Sequence, residues 1–202
     1  MLARLVVLVS GNGSNLQAIL DACAQKRLPA RVVAVVSNKA DAYGLVRAHL
    51  AGVEAMYFPK SDGESRCDYD TRLAAYVSSY SPDYVILAGW MRLLSSCFLS
   101  HFPNRVINLH PALPGAFPGT HAIERAYTAW QRGEVDRSGV MVHLVPDEGV
   151  DNGPVLACEE IFFQEDETLA QFEARVHAVE HRLLVETLAR VLAAGGWEDE
   201  SG

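Results

Sequence analysis

The sequence has no apolar run long enough to cross a bilayer, and no Pro/Ser linker, low-complexity tract or internal repeat. A membrane partner, a tandem of domains and a solenoid are therefore not expected. Basic residues are in the minority. Lys and Arg number 17 against 25 Asp and Glu, a formal net charge of −8, so the positive field that non-specific nucleic-acid binding needs is missing, and no nucleic-acid partner is expected. Cysteines are few, and Cys23, Cys67, Cys97 and Cys158 form neither a C-x-x-C pair nor a close metal knuckle. This usage fits a reducing cytosol, and a cytoplasmic location is the expectation. No basic leader, long apolar segment or small-residue cleavage site marks the start of the chain.

What is present describes a folded protein: 202 residues, half hydrophobic and 21% charged. One domain over residues 1–197 is expected, with a frayed tail over residues 198–202. The Val-rich run Leu2 to Val9 reads as a buried strand. It meets a turn cluster at Ser10-Gly11-Asn12-Gly13-Ser14-Asn15, after which Leu16, Ile19, Leu20 and Cys23 recur with helical spacing. The alternation continues with strand Val32 to Val36, helix Leu45 to Leu50, strand Val53 to Tyr57, helix Asp70 to Tyr80, and strands Tyr84 to Ala88 and Val106 to Leu109. A helix from Ala122 to Trp130, two consecutive strands at Gly139 to Val145 and Val155 to Phe163, and a helix from Leu169 to Leu192 follow. This order predicts an α/β, Rossmann-like domain: a mostly parallel central sheet, helices on both faces, and an antiparallel extension.

Four groups of residues carry chemistry. The glycine loop at Gly13, Ser14 and Asn15 lies between strand and helix, where free N–H groups and the helix dipole favour one phosphate. It lacks the third glycine of a dinucleotide fingerprint and the Lys-Ser or Lys-Thr of a P-loop, and a plain capped turn is the other reading. Asn108 and His110 fall on one face of a strand whose carboxyl end is where open α/β sheets place ligands. An amide donor beside an imidazole suits a developing oxyanion and a moving proton, although a lone histidine can also be structural. The acidic loop Asp147 to Pro154 offers Asp151 as a carboxylate that, beside His110, would raise the histidine's pKa and orient its ring, although most such loops are solvated turns. Finally, His177-Ala178-Val179-Glu180-His181 has the H-x-x-E-H form of an inverted zinc peptidase motif, but the acids downstream supply no good third ligand, and no metal is expected.

Taken together, these residues resemble the phosphoribosylglycinamide formyltransferases over roughly Arg4 to Leu192. The resemblance rests on V-L-V-S-G-N-G-S-N-L-Q-A-I from Val7, S-N-K-A-D-A from Ser37, L-A-G-W-M-R-L-L from Leu87, I-N-L-H-P-A-L-P-G from Ile107, V-D-N-G-P-V from Val150 and V-E-H-R-L from Val179. It implies that the amine of glycinamide ribonucleotide attacks the formyl carbon of 10-formyltetrahydrofolate, the cosubstrate. Asn108 would hold the carbonyl oxygen, His110 would act as general acid, and Asp151 would keep the imidazole charged. Gly13, Ser14 and Asn15 would bind the phosphate, and Glu180 the ribose or glycinamide end. Arg66, Met91, Arg92, Leu93 and Leu94 would line the folate site with Asn108, while Leu93 and Leu94 as ordinary core is the competing view. His121 and His143 take supporting roles.

One residue more separates His143 from Asp151 than in other members, with Pro146 in the extra space, so Asp147 is a second candidate for the carboxylate. The tRNA-directed formyltransferase would call for a further basic domain and the formyltetrahydrofolate hydrolase for a regulatory one. A sugar-nucleotide formyltransferase and a non-catalytic sensor of a phosphorylated metabolite complete the alternatives. Partners are expected to be small molecules, with a homodimer as the candidate assembly.

Overall fold

Runs rich in β-branched residues supply most of the strands: β1 (Ala3–Val9), β2 (Ala30–Ser37), β3 (Glu54–Tyr57), β4 (Tyr84–Leu87), β5 (Val106–His110), β6 (Arg137–Leu144) and β7 (Val155–Phe162). The helices are α1 (Ser14–Ala24), α2 (Tyr43–Leu50), α3 (Arg66–Ser78), α4 (Ser96–Leu99), α5 (Ala122–Gln131) and α6 (Leu169–Ala193). The structure, a computed structural model, describes residues 2–195. The expected tail over residues 198–202 lies outside them.

All seven strands form one sheet in the order β3-β2-β1-β4-β5-β6-β7. Pairing is parallel from β3 to β5, while β6 runs antiparallel to β5, and β7 to β6. This is the α/β sheet with an antiparallel extension that the sequence predicts. Alternate residues of β1 serve two cores. Leu5, Val7 and Val9 pack with Leu16 and Ile19 of α1 and with Phe172, Val176 and Leu184 of α6. Val6 and Leu8 pack on the other face with Tyr69 and Leu73 of α3 and Phe98 of α4. The chain leaves β1 toward β2 on one side and returns through β4 on the other, so a topological switch point lies between β1 and β4. There the Ser10 N–H donates to the Gly89 carbonyl at 3.0 Å.

Two local readings change. Helix α3 starts at Arg66 rather than Asp70, because Ser65 caps it by accepting the Asp68 N–H at 3.1 Å. Its first turn is exposed, so apolar periodicity could not reveal it. The short α4 was not anticipated. It packs beside the start of α3, bringing Cys67 and Cys97 to a Cα–Cα distance of 5.5 Å, where they form a disulfide. The cysteine usage that suggested a reducing cytosol thus contains one disulfide pair, and Cys23 and Cys158 are free. The pairing depends on a helix contact that spacing along the chain does not encode.

Gly13 is required by packing as well as by the turn. Its φ is +74°, and a Cβ there would sit 2.7 Å from the Gly44 Cα at the start of α2. Neighbouring Gly11 has open space around its Cβ direction. Gly13→Val is therefore expected to cost about 2 kcal/mol or more of folding stability. Gly11→Ala should stay within about 0.5 kcal/mol, as urea denaturation of both variants would show.

Candidate active site

Strand alternation turns Ile107 and Leu109 toward the α1/α6 core and leaves Asn108 and His110 on the opposite face. Antiparallel pairing sets His143 of β6 directly across from Asn108. The loop after β6 then brings Asp151 over the pair, with its backbone in the left-handed region at φ +51°, which aspartate tolerates better than most residues. The Asn108 amide donates to Asp151 Oδ1 at 3.1 Å and to His143 Nε2 at 3.0 Å. His143 Nδ1 donates to the Leu144 carbonyl at 2.8 Å, which fixes the tautomer and leaves the Nε2 lone pair for Asn108. The other carboxylate oxygen, Asp151 Oδ2, accepts the Gly119 N–H at 2.8 Å and lies 3.2 Å from His110 Nδ1. His110 Nε2 donates to the Phe117 carbonyl at 3.1 Å.

Asn108, His110 and Asp151 therefore meet as expected, with His143 as a fourth member. Asp147 does not compete for the place, because its carboxylate accepts the Gly149 N–H at 2.7 Å and closes its own turn. The electrostatics differ from expectation. Both partners of His110 accept only, an arrangement that suits the imidazolium. Yet His110 is 4% exposed, and burial pushes its pKa below the ordinary value despite the upward pull of Asp151 and the Phe117 carbonyl. Asp151 does raise the ring's pKa, but desolvation is the larger effect. For Asp151 itself burial works upward, and the adjacent His143 ring, the Gly119 N–H and the nearby His110 carry its pKa below the usual carboxylate range. A ring held by two acceptors but reluctant to stay charged is poised to give up a proton.

A cleft of about 570 Å³ opens between α1, α2 and α6, lined by Ser14, Gln17, Arg47, His181 and Arg182 among others. Gly13 caps α1 without any side-chain hydrogen bond, so the capped-turn reading fails and the first N–H groups of the helix stay available to an anion. The Asn15 Oδ1 atom is buried without a partner. Arg47 was missed in the sequence. Its guanidinium holds the loop from α2 by donating to the Asn12 carbonyl at 2.8 Å and to Asn12 Oδ1 at 2.9 Å. Only the packing of α2 on the glycine loop reveals it.

In the H-x-x-E-H motif, the buried Glu180 takes His177 Nδ1 at 2.6 Å and raises the pKa of that ring. His181 faces the cleft instead, with Nε2 buried and unpartnered and its pKa lowered by burial. Among the described residues, no three His, Cys, Asp or Glu side chains converge as a metal site requires.

The family model for formyl transferases matches residues 3–188. The chain belongs to the formyl transferase family. A phosphoribosylglycinamide formyltransferase of Dictyostelium discoideum is 43% identical over 93% of this chain and 97% of its own length. One from Escherichia coli is 42% identical over 89% of this chain and 82% of the relative. Among solved structures, a glycinamide ribonucleotide transformylase from Symbiobacterium toebii superposes with a TM-score of 0.90 at 42% identity, covering 99% of this chain and 92% of that one.

In this formyl transferase, the segment after β4 divides its residues between two tasks. Met91 and Leu93 are 59% and 51% exposed and free to cover a flat ring, whereas Leu94 is 4% exposed and packs in the core with Trp90 and Phe98. The core reading thus holds for the Leu94 side chain and not for Leu93. The Met91 N–H donates to Ser10 Oγ at 2.8 Å, which ties the segment to the glycine loop across the switch point. The Arg92 guanidinium stacks 4.7 Å over the Tyr69 ring. Arg66 Nη2 lies 3.3 Å from Glu148 Oε2, so the arginine faces the loop that carries Asp151. His121 is exposed and paired with Glu124 at 3.2 Å.

Asp151→Asn removes the leading upward pull on His110, so the ring's pKa is expected to fall further and the proton-dependent limb of the pH–rate profile to move to lower pH. Asp147→Asn should leave both where they are. Titration of the His110 ring by NMR in the two variants checks this.

Proposed function

We infer that the chain transfers the formyl group of 10-formyltetrahydrofolate to the amine of 5-phosphoribosylglycinamide, giving formylglycinamide ribonucleotide and tetrahydrofolate, a step of purine synthesis. The observation that carries the reading is the Asn108, His110 and Asp151 cluster at the carboxyl edge of the sheet in a member of this family. The amine nitrogen bonds to the formyl carbon, and the carbonyl oxygen takes the negative charge. An Asn108 N–H and the His110 Nε2–H meet that oxyanion. Asn108 already gives its N–H groups to Asp151 and His143, and His110 gives Nε2–H to Phe117. The oxyanion therefore replaces existing acceptors rather than finding idle donors, and the donors are aimed before the charge appears. Collapse breaks the bond from carbon to the folate nitrogen, which receives a proton as the amine gives one up. His110 moves that proton, and Asp151 stabilises the ring while it is charged.

The acceptor phosphate is assigned to the start of α1 with Gly13, Ser14 and Asn15, beside the cleft that Arg47 and His181 line. Glu180 is assigned to the ribose or glycinamide end of that substrate. The folate is assigned to Arg66, Met91, Arg92 and Leu93, on the face of the sheet where Asn108 and His110 point, with Leu94 as the floor beneath. No metal has a part in this chemistry. A hydrolase would use the same cluster with water as nucleophile, but an uncapped helix start beside a cleft favours a phosphorylated acceptor. Both cosubstrates are charged and water-soluble, which suits a cytoplasmic location, and the chain's net charge of −8 suits small-molecule partners rather than nucleic acid. A homodimer is the proposed assembly.

Formyl transfer by the purified protein, followed with both cosubstrates, tests the reading. Asn108→Ala and His110→Ala should each lower kcat by about 10²–10³ while the circular dichroism spectrum stays unchanged. Near-normal turnover in either folded variant would reject the assignment. Arg47→Met should raise KM for the ribonucleotide well above any change in KM for the folate, because it frees the loop that presents the phosphate site.

A further inference from the structure

The Cys67–Cys97 disulfide stands next to the loop that carries Asp151. Cys67 is the second residue of α3 and Cys97 the second of α4. The residues just before them, Arg66 and Ser96, take the two oxygens of one carboxylate. Glu148 Oε2 lies 3.3 Å from Arg66 Nη2, and Glu148 Oε1 accepts the Ser96 N–H at 2.9 Å. Glu148 sits three residues before Asp151 on the same loop. A further tie runs from the Ser95 N–H to Asp70 Oδ2 at 2.6 Å. Cys67 is exposed and Cys97 half-buried, so a small thiol can reach the bond.

We propose that this disulfide is a redox latch: oxidised, it holds α3 and α4 so that Arg66 and Ser96 grip Glu148 and set the Asp151 loop over His110; reduced, it releases that grip. The chemistry is thiol–disulfide exchange. A thiolate of a small thiol attacks one cysteine sulfur, the Cys67–Cys97 bond breaks, and the other sulfur leaves as a thiolate. A second small thiol then displaces the first, giving two protein thiols and one small-molecule disulfide, and the reverse reaction restores the latch. Arg66 belongs to the proposed folate site, so release acts on substrate binding as well as on the carboxylate. The activity arm rests on the formyl-transfer reading, and the loop arm does not.

The test compares the full chain equilibrated with oxidised glutathione or with dithiothreitol, with thiol counts confirming each state. Reduction is expected to speed hydrogen exchange over residues 147–152 and to lower kcat/KM for the folate about fivefold, the low end of coupling between two sites. Added oxidised glutathione should restore both. The oxidised Glu148→Ala variant should match the reduced wild type, and a Cys67→Ser/Cys97→Ser variant should ignore both reagents. Equal exchange and equal activity in the two wild-type states would overturn the latch, because the Asp70–Ser95 tie would then suffice. A response that persists in the double variant would overturn it in favour of Cys23 or Cys158. Loss of the near-ultraviolet dichroism on reduction would overturn it too, since that is global unfolding. Exchange that responds in a protein inactive with these cosubstrates would support the latch and reject the reaction.

Discussion

The Asp151 carboxylate is the constraint on which the candidate site depends. Its two oxygens collect the Gly119 N–H, an Asn108 N–H and the His110 ring, three donors that come from one loop and one strand. Without it those donors, His110 buried and Asn108 and Gly119 half-buried, would lose their acceptor together, at about 1–3 kcal/mol for each group left unsatisfied. The same carboxylate orients the imidazole and opposes the burial that works against its charge. Backbone geometry follows from this need. The loop turns through the left-handed region at Asp151 itself, placing the carboxylate rather than the backbone over the strand end.

Sheet order gives the proposed reaction its geometry, with two different substrates approaching one carbon from two sides. The ends of β1, β4 and β5 are neighbours, and the Ser10–Gly89 and Met91–Ser10 hydrogen bonds join the segments after β1 and β4. The helix start suited to phosphate belongs to the α1/α6 side, while Arg66 and the segment after β4 belong to the α3/α4 side. His110 and Asn108 point toward the second side from a strand adjacent to the switch point. In the proposed reaction, an amine carried by the phosphorylated substrate would meet a formyl group carried by the folate at the edge of the sheet, where the N–H donors are preformed.

The antiparallel extension also matters to the chemistry. Because β6 runs against β5, His143 stands opposite Asn108 and accepts one of its amide hydrogens. The Leu144 carbonyl, bonded to His143 Nδ1, decides which ring nitrogen is free to do so. Asn108 is thereby oriented from two directions, which limits the rotamers it can sample before substrate arrives.

Much of this was determined by the sequence alone. Period-two alternation places Asn108 and His110 on one face, period-3.6 repeats mark the long helices, and glycines between a Val-rich strand and a helix mark the turn at Gly13. These are local patterns, set by residues a few positions apart, and they specify the α/β class and the strand that bears the imidazole. Tertiary structure decided the rest: Asp151 rather than Asp147 at His110, Arg47 on the glycine loop, Leu94 in the core while Leu93 is exposed, the Cys67–Cys97 pairing, and a His110 pKa below the ordinary value. Each depends on groups far apart in the chain or on how much water the fold removes from a side chain. Neither quantity exists until the sheet order and the helix packing are settled.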